Sequence, residues 1–209
     1  MTDATDMEMT VPTRKKPGWT FYFIWVSWTT LCIPIGYVIS FIPLSIIIRF
    51  IGDFIYVNGV QHITEDYLGL YIIIPMIALL TGLVQYGMLR PYLPRMSGWV
   101  LLTAAGWLMG LLLIAISYRL KWIDPTKYFG AIFFLMGLSI GVAQWLLLRR
   151  RLSRAGWWIA ANLAGWGLLA LIQKGNSLDQ YALLIVGLFP ACTTAGMLAL
   201  LFHRADTAD

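Results

Sequence analysis

The stretch GVAQWLLLRRRLSRAGWWIAANLAGW, Gly141 to Trp166, aligns without a gap on GLVQYGMLRPYLPRMSGWVLLTAAGW, Gly82 to Trp107. Gly82, Gln85, Leu89, Arg90, Leu93, Arg95, Trp99, Ala105, Gly106 and Trp107 recur as Gly141, Gln144, Leu148, Arg149, Leu152, Arg154, Trp158, Ala164, Gly165 and Trp166, ten identities over 26 positions. Each copy runs from an apolar segment through a short basic turn into a second apolar segment. This is the pattern of a helical hairpin made twice, and its length and polarity decide the fold class.

The surrounding composition carries the same message. Of 209 residues, 59% are hydrophobic and 12% charged, against about 25% charged in an ordinary soluble domain. Apolar runs of roughly 20 residues, the length a helix needs to cross a bilayer, recur along the whole chain. The expectation is an all-α integral membrane protein with six transmembrane helices near Gly18–Phe41, Tyr67–Leu89, Gly98–Tyr118, Tyr128–Leu148, Gly156–Ile172 and Tyr181–Phe202. They form one domain, 18–204, between polar tails at 1–17 and 205–209. The first run ends in no small-residue cleavage site and is expected to remain as a helix. Cys32 and Cys192 both fall in apolar segments, so a disulfide is not expected.

Six spans put both termini on one side. That side then carries ten basic residues: Arg14, Lys15, Lys16, Arg90, Arg95, Arg149, Arg150, Arg151, Arg154 and Arg204. The other carries five: Arg49, Arg119, Lys121, Lys127 and Lys174. Basic residues next to spans stay in the cytoplasm, so cytoplasmic termini are expected. Arg90, Arg95, Arg149, Arg150, Arg151 and Arg154 then meet anionic headgroups at the negative ends of helix dipoles. The segment 42–66 is too charged to cross, with Arg49 and Asp53 one turn apart. Its apolar residues lead us to expect an extracytoplasmic interfacial shoulder or a lid over the bundle mouth.

Fragments of a third hairpin stand at the chain ends. Gly18, Trp19 and Trp28 have the spacing of Gly156, Trp157 and Trp166, and Gly196 with Arg204 that of Gly141 with Arg149. The chain is thus expected to be a permuted pseudo-threefold bundle whose last helix packs beside its first. Trp99, Trp157 and Trp158 open their helices at the depth of an interfacial aromatic belt. Trp28, Trp107 and Trp166 lie too deep for a belt and are either core residues or walls of a central cavity. Gln85, Gln144 and Asn162 must find partners inside hydrocarbon, through interhelical hydrogen bonds or contact with a ligand. Gly106 with Gly110 and Gly137 with Gly141 form GxxxG packing faces.

Familiar membrane chemistry is absent from the sequence. His62 and His203 are the two histidines, and no HExxH, phosphate-binding loop or mid-span carboxylate is present. No metal site, cofactor, catalytic residue or nucleic-acid partner is expected. Arg49, Asp53, His62, Glu65 and Asp66, the main titratable cluster, fit a solvated loop face.

The segments QWLLLRRRLSRAGWW and QYGMLRPYLPRMSGW resemble a motif of small bacterial multi-pass membrane proteins without assigned activity, roughly Q-W-x-x-L-R, a basic turn and G-W-W. The resemblance covers four helices, the first closely and the second loosely. It implies a fold and a bacterial origin, and no site residues; the expected location is then the bacterial cytoplasmic (inner) membrane. Two functional readings follow. One is a non-enzymatic accessory or scaffold subunit of a membrane assembly, in contact with lipid, pigment or other subunits. The other is a binding or transport protein whose cavity, lined by Trp28, Gln85, Trp107, Gln144, Asn162 and Trp166, takes a small apolar molecule.

Overall fold

The computed structural model describes residues 17–122, 129–172 and 186–205. Expectations about 1–16 with its Arg14-Lys15-Lys16 run, about Lys127, Tyr128 and Lys174, about a last helix starting at Tyr181, and about 206–209 lie outside them. The described elements are helix α1 (Trp19–Ile51), strands β1 (Phe54–Val57) and β2 (Val60–Ile63), and helices α2 (Thr64–Leu89), α3 (Trp99–Arg119), α4 (Phe129–Leu148), α5 (Trp157–Ile172) and α6 (Leu188–Ala205). Among the described residues four helices, Trp19–Ile51, Tyr67–Leu89, Trp99–Arg119 and Gly130–Leu148, are long and apolar enough to cross a membrane, and α5 and α6 contain shorter apolar helices. The chain is mostly helical, as an all-α membrane protein is.

The segment after Phe41 departs from expectation. The first helix does not end at Phe41: α1 runs on to Ile51, 33 residues in all, through Pro34 and Pro43. At 1.5 Å per residue it is about 50 Å long, some 20 Å more than a bilayer's hydrocarbon core. The apolar run does not stop until Gly52, whose φ of 98° turns the chain out of the helix while its N–H reaches the Ile48 carbonyl at 2.7 Å. Arg49 occupies the last turn, where the helix dipole favours a cation. A β-hairpin follows, with Val57 paired to Val60 across Asn58 and Gly59, which sit at φ 53° and 79°. Two successive left-handed residues make the tight turn whose twist matches paired strands, and Asn-Gly is its usual sequence. Thr64 ties the hairpin to the end of α1, its hydroxyl donating to the Gly52 carbonyl at 2.6 Å and its N–H to Asp53 at 2.9 Å.

The helices pack in chain order, each against the next, and α6 returns to pack against α1. The close approaches depend on glycine. A Cβ on Gly82 would lie 3.0 Å from the Val100 Cα, and one on Gly141 would lie 3.1 Å from the Ile159 Cα. Gly106 and Gly165 meet the next helix, where a Cβ would stand 2.8 Å from the Ile140 Cα and 2.5 Å from the Pro190 Cα. The turns 90–98 and 149–156 share their geometry as well. Arg95 and Arg154 are both left-handed, at φ 62° and 59°, and Leu93 and Leu152 each donate to the carbonyl four residues back at 2.8 Å.

Two apolar clusters fill the interior. One, toward the arginine turns, gathers Phe21, Trp25, Leu89, Leu93, Met96, Trp99, Leu148, Leu152, Trp158, Leu198 and Phe202. The other gathers Ile33, Ile77, Trp107, Phe133, Met136, Ile140, Trp166 and Leu169. Between them lies a layer of buried polar side chains.

Candidate functional site: the polar waist

Gln85 and Gln144 lie on the inward-facing stripes of α2 and α4, one turn before the last buried residues Leu89 and Leu148, and both are buried. Neither can be left unpaired in an apolar interior, where an amide without partners is costly. The Gln144 Nε2 donates to the Gln85 Oε1 at 3.1 Å and to the Thr103 Oγ1 at 3.0 Å. Each glutamine also serves the helix that follows it. Trp99 Nε1 donates to the Gln85 Oε1 at 3.2 Å, and Trp158 Nε1 to the Gln144 Oε1 at 2.9 Å. An indole nitrogen only donates, so each tryptophan forces an amide oxygen toward itself. The Gln85 oxygen thus faces Gln144, which must answer with its amino group. Of the two expected roles for these amides, the geometry shows an interhelical hydrogen bond. Asn162 differs: its Nδ2 donates to the Trp158 carbonyl in its own helix at 3.0 Å.

Trp25, Trp99 and Trp158 are each 0% exposed. Their rings meet edge to face, Trp25 with Trp158 at 6.3 Å and Trp99 with Trp158 at 6.1 Å between centroids, an arrangement favoured by aromatic quadrupoles. Trp25 Nε1 donates to the Thr194 Oγ1 of α6 at 3.1 Å, joining the two ends of the chain. Trp99 and Trp158 were expected in an interfacial belt. The structure turns both inward because their helices open with these residues facing the neighbouring hairpin and a glutamine acceptor. Trp157 and Trp19 are exposed instead.

Five of the six residues expected around a central cavity line one: Gln85, Trp107, Gln144, Asn162 and Trp166, joined by Thr29, Ile33, Thr81, Ile140, Gly187, Pro190 and Thr194. The cavity holds about 30 Å³. Trp107 and Trp166 meet edge to face at 5.5 Å, and Phe133 stacks on Trp166 at 6.1 Å. Trp28 is absent from the lining and is 49% exposed. The buried stripe of α1 is Phe21, Trp25, Thr29, Cys32, Ile33, Gly36, Ser40 and Leu44, and Trp28 falls at its edge. The inward positions Trp25, Thr29 and Ile33 escape a reading built on Gly18 and Trp19. A tryptophan followed by a small polar residue four later and a large apolar one eight later would have found them, as in Trp99-Thr103-Trp107 and Trp158-Asn162-Trp166.

Arg90, Arg95, Arg149, Arg150, Arg151 and Arg154 are all exposed at the two turns, and the Arg149 guanidinium lies 4.9 Å over the Trp145 ring. Asp53, Glu65 and Arg49 are exposed around the hairpin, and the His62 ring lies 5.1 Å from that of Tyr67. Among the described residues no three His, Cys, Asp or Glu side chains come together as a metal site would need. No protein-family model, curated protein or solved structure matches the chain.

Proposed function

We propose that this chain is an integral membrane protein that acts by packing, as an accessory or scaffold subunit of a membrane assembly. The observation that carries the reading is the filled centre. The indoles of Trp99 and Trp158 donate to the two glutamines, which bond each other, and that of Trp25 donates to Thr194, around a cavity of about 30 Å³. Pockets for organic ligands run to roughly 300–1,000 Å³, so a carrier or receptor with its site at the waist is the weaker reading. The outside is apolar, with Phe23, Val38, Leu101, Leu112 and Leu171 among the exposed side chains, as a surface that meets lipid or another transmembrane subunit requires. The arginine turns face the cytoplasmic leaflet and its anionic headgroups, with both termini on that side of a bacterial inner membrane.

Six spans form three hairpins in a ring under this proposal, the third split between α6 and α1. Support comes from positions that play one part three times: Gln85, Gln144 and Thr194 accept from Trp99, Trp158 and Trp25. Thr81, Ile140 and Pro190 line the cavity, as do Trp107, Trp166 and Ile33. In these sets the second member lies 59 residues after the first, the α6 member 50 after the second, and the α1 member 133 before it. Gly137 against Trp166 likewise matches Gly187 against Ile33. This register replaces the one drawn from Gly18, Trp19 and Trp28.

Purification of the full chain from its native membrane in mild detergent tests the function. A stoichiometric protein partner that stays bound through size exclusion is the expected result. A bound small organic molecule with no protein partner would reverse the order of the two readings.

A further inference from the structure

The waist is satisfied on one side only. Toward the glutamines every indole N–H described above has an oxygen. On the other side the Thr29 Oγ1, Thr81 Oγ1 and Trp107 Nε1 are buried and make no hydrogen bond within the described structure. Thr29 is 7%, Thr81 6% and Trp107 5% exposed, so all three are more than nine-tenths buried. All three also line the same cavity. The Cys32 thiol lies beside the Thr81 hydroxyl, but sulfur is a weak donor and a weak acceptor and the pair lacks hydrogen-bond geometry.

We propose that this cavity is a binding site for one or two ordered water molecules, held between Trp107, Thr81 and Thr29 at the centre of the bundle. Size and chemistry both select water. A water needs about 10–15 Å³ of such space and two to four polar partners, and the cavity holds about 30 Å³. Trp107 contributes a donor and requires an acceptor; each threonine hydroxyl takes either role. A water oxygen accepts from the indole while its two hydrogens go to the hydroxyl oxygens, which gives each of the three buried atoms a partner. A cation fits poorly, because no carboxylate lines the space and the unpartnered indole of Trp107 can only donate. An anion would have no positive charge to offset its burial. The three groups come from α1, α2 and α3, so the water ties the first helix to the hairpin that follows it. The inference stands apart from the scaffold reading and survives if a different partner, or none, is found.

The test uses the full chain in lipid nanodiscs, with tryptophan indoles labelled with ¹⁵N and water-to-protein cross-relaxation recorded. The Trp107 signal is assigned by Trp107→Phe or, should that variant fail to fold, by its contact with the Trp166 ring. A cross-peak from long-lived water at Trp107 Nε1–H is expected, with none at Trp99 or Trp158, whose N–H groups are held by glutamine oxygens. Thr81→Val, which keeps the shape and removes a hydroxyl, should weaken the Trp107 cross-peak at least severalfold. A silent Trp107, cross-peaks of equal strength at Trp99 and Trp158, or saturable xenon uptake that shifts the Trp107 signal would each overturn the proposal. Xenon enters dry apolar cavities.

Discussion

An indole N–H has one direction and one role, and in this protein it sets the chemistry around it. Trp99 and Trp158 hold Gln85 and Gln144 with their oxygens turned inward, so the two amides can join only as Gln144 donating to Gln85. Trp25 does the same with the Thr194 hydroxyl, which already donates toward the Pro190 carbonyl at 2.6 Å. Three double-mutant cycles measure these pairs: Trp25→Phe with Thr194→Val, Trp99→Phe with Gln85→Leu, and Trp158→Phe with Gln144→Leu. Each should show a coupling of about 0.6 kcal/mol, the average for hydrogen-bonded pairs between membrane helices, and at most about 1.7 kcal/mol, read from unfolding in mixed detergent micelles. Mismatched combinations such as Trp25→Phe with Gln85→Leu should be additive. Independence of Trp25 and Thr194 would remove the third hairpin from the proposed ring. The glutamines were legible in the sequence because a buried amide demands explanation. Thr194 was not, because a threonine in an apolar helix ordinarily bonds back to its own backbone.

At the scale of elements, small residues decide how near two helices come. Gly165 sits where a Cβ would lie 2.5 Å from both the Pro190 Cα and the Thr193 Oγ1, whereas nothing lies within 4 Å of a Cβ on Gly196. Gly165→Ala must therefore push α5 away from α6 and should cost about 1–3 kcal/mol, as overpacking does. Gly196→Ala should stabilise by up to about 1 kcal/mol through helix propensity alone. Thermal unfolding of the two variants in detergent checks the opposite signs; a harmless Gly165→Ala would mean that α5 and α6 are further apart than described. Helix existence followed from apolar length, since a run of some 20 such residues has few alternatives. The end of α1 did not follow. Charge at Arg49 and Asp53 argued for a break near Phe41, yet helical backbone tolerates an arginine in its last turn and stops at the left-handed Gly52. Asn58-Gly59 carried the hairpin signal, which the reading of the segment as a shoulder or a lid did not use.

For the whole molecule, the proposed orientation rests on the ten-to-five split of basic residues, which loads the arginine turns onto the cytoplasmic side. The far end of α1 and the β-hairpin then stand on the opposite side. Single cysteines at the exposed Ser45 and Asn58, in a background lacking Cys32 and Cys192, should both react with a membrane-impermeant maleimide added to intact cells. One at Arg95 should react only after the membrane is opened. Labelling of Arg95 in intact cells would invert the orientation, and labelling of Ser45 and Asn58 from opposite sides would break the span count.

Apolar length, basic turns and the doubled hairpin were properties of the sequence by itself, because bilayer thickness and backbone hydrogen bonding leave an apolar chain few choices. They predicted a helical membrane protein and drew attention to Gln85, Gln144, Trp107, Asn162 and Trp166, the residues that the structure brings to one waist. Only tertiary structure decided which face of each helix turns inward. That choice depends on neighbours far away in the chain. Trp25 is buried rather than Trp28 because Thr194, 169 residues on, stands ready to accept its N–H. Trp99 and Trp158 face the interior because glutamines on the preceding helices accept their N–H groups. The size of the cavity was likewise beyond sequence reasoning: whether tryptophans and glutamines enclose a ligand or fill the space themselves depends on distances of an ångström or two between packed helices, and here they leave about 30 Å³.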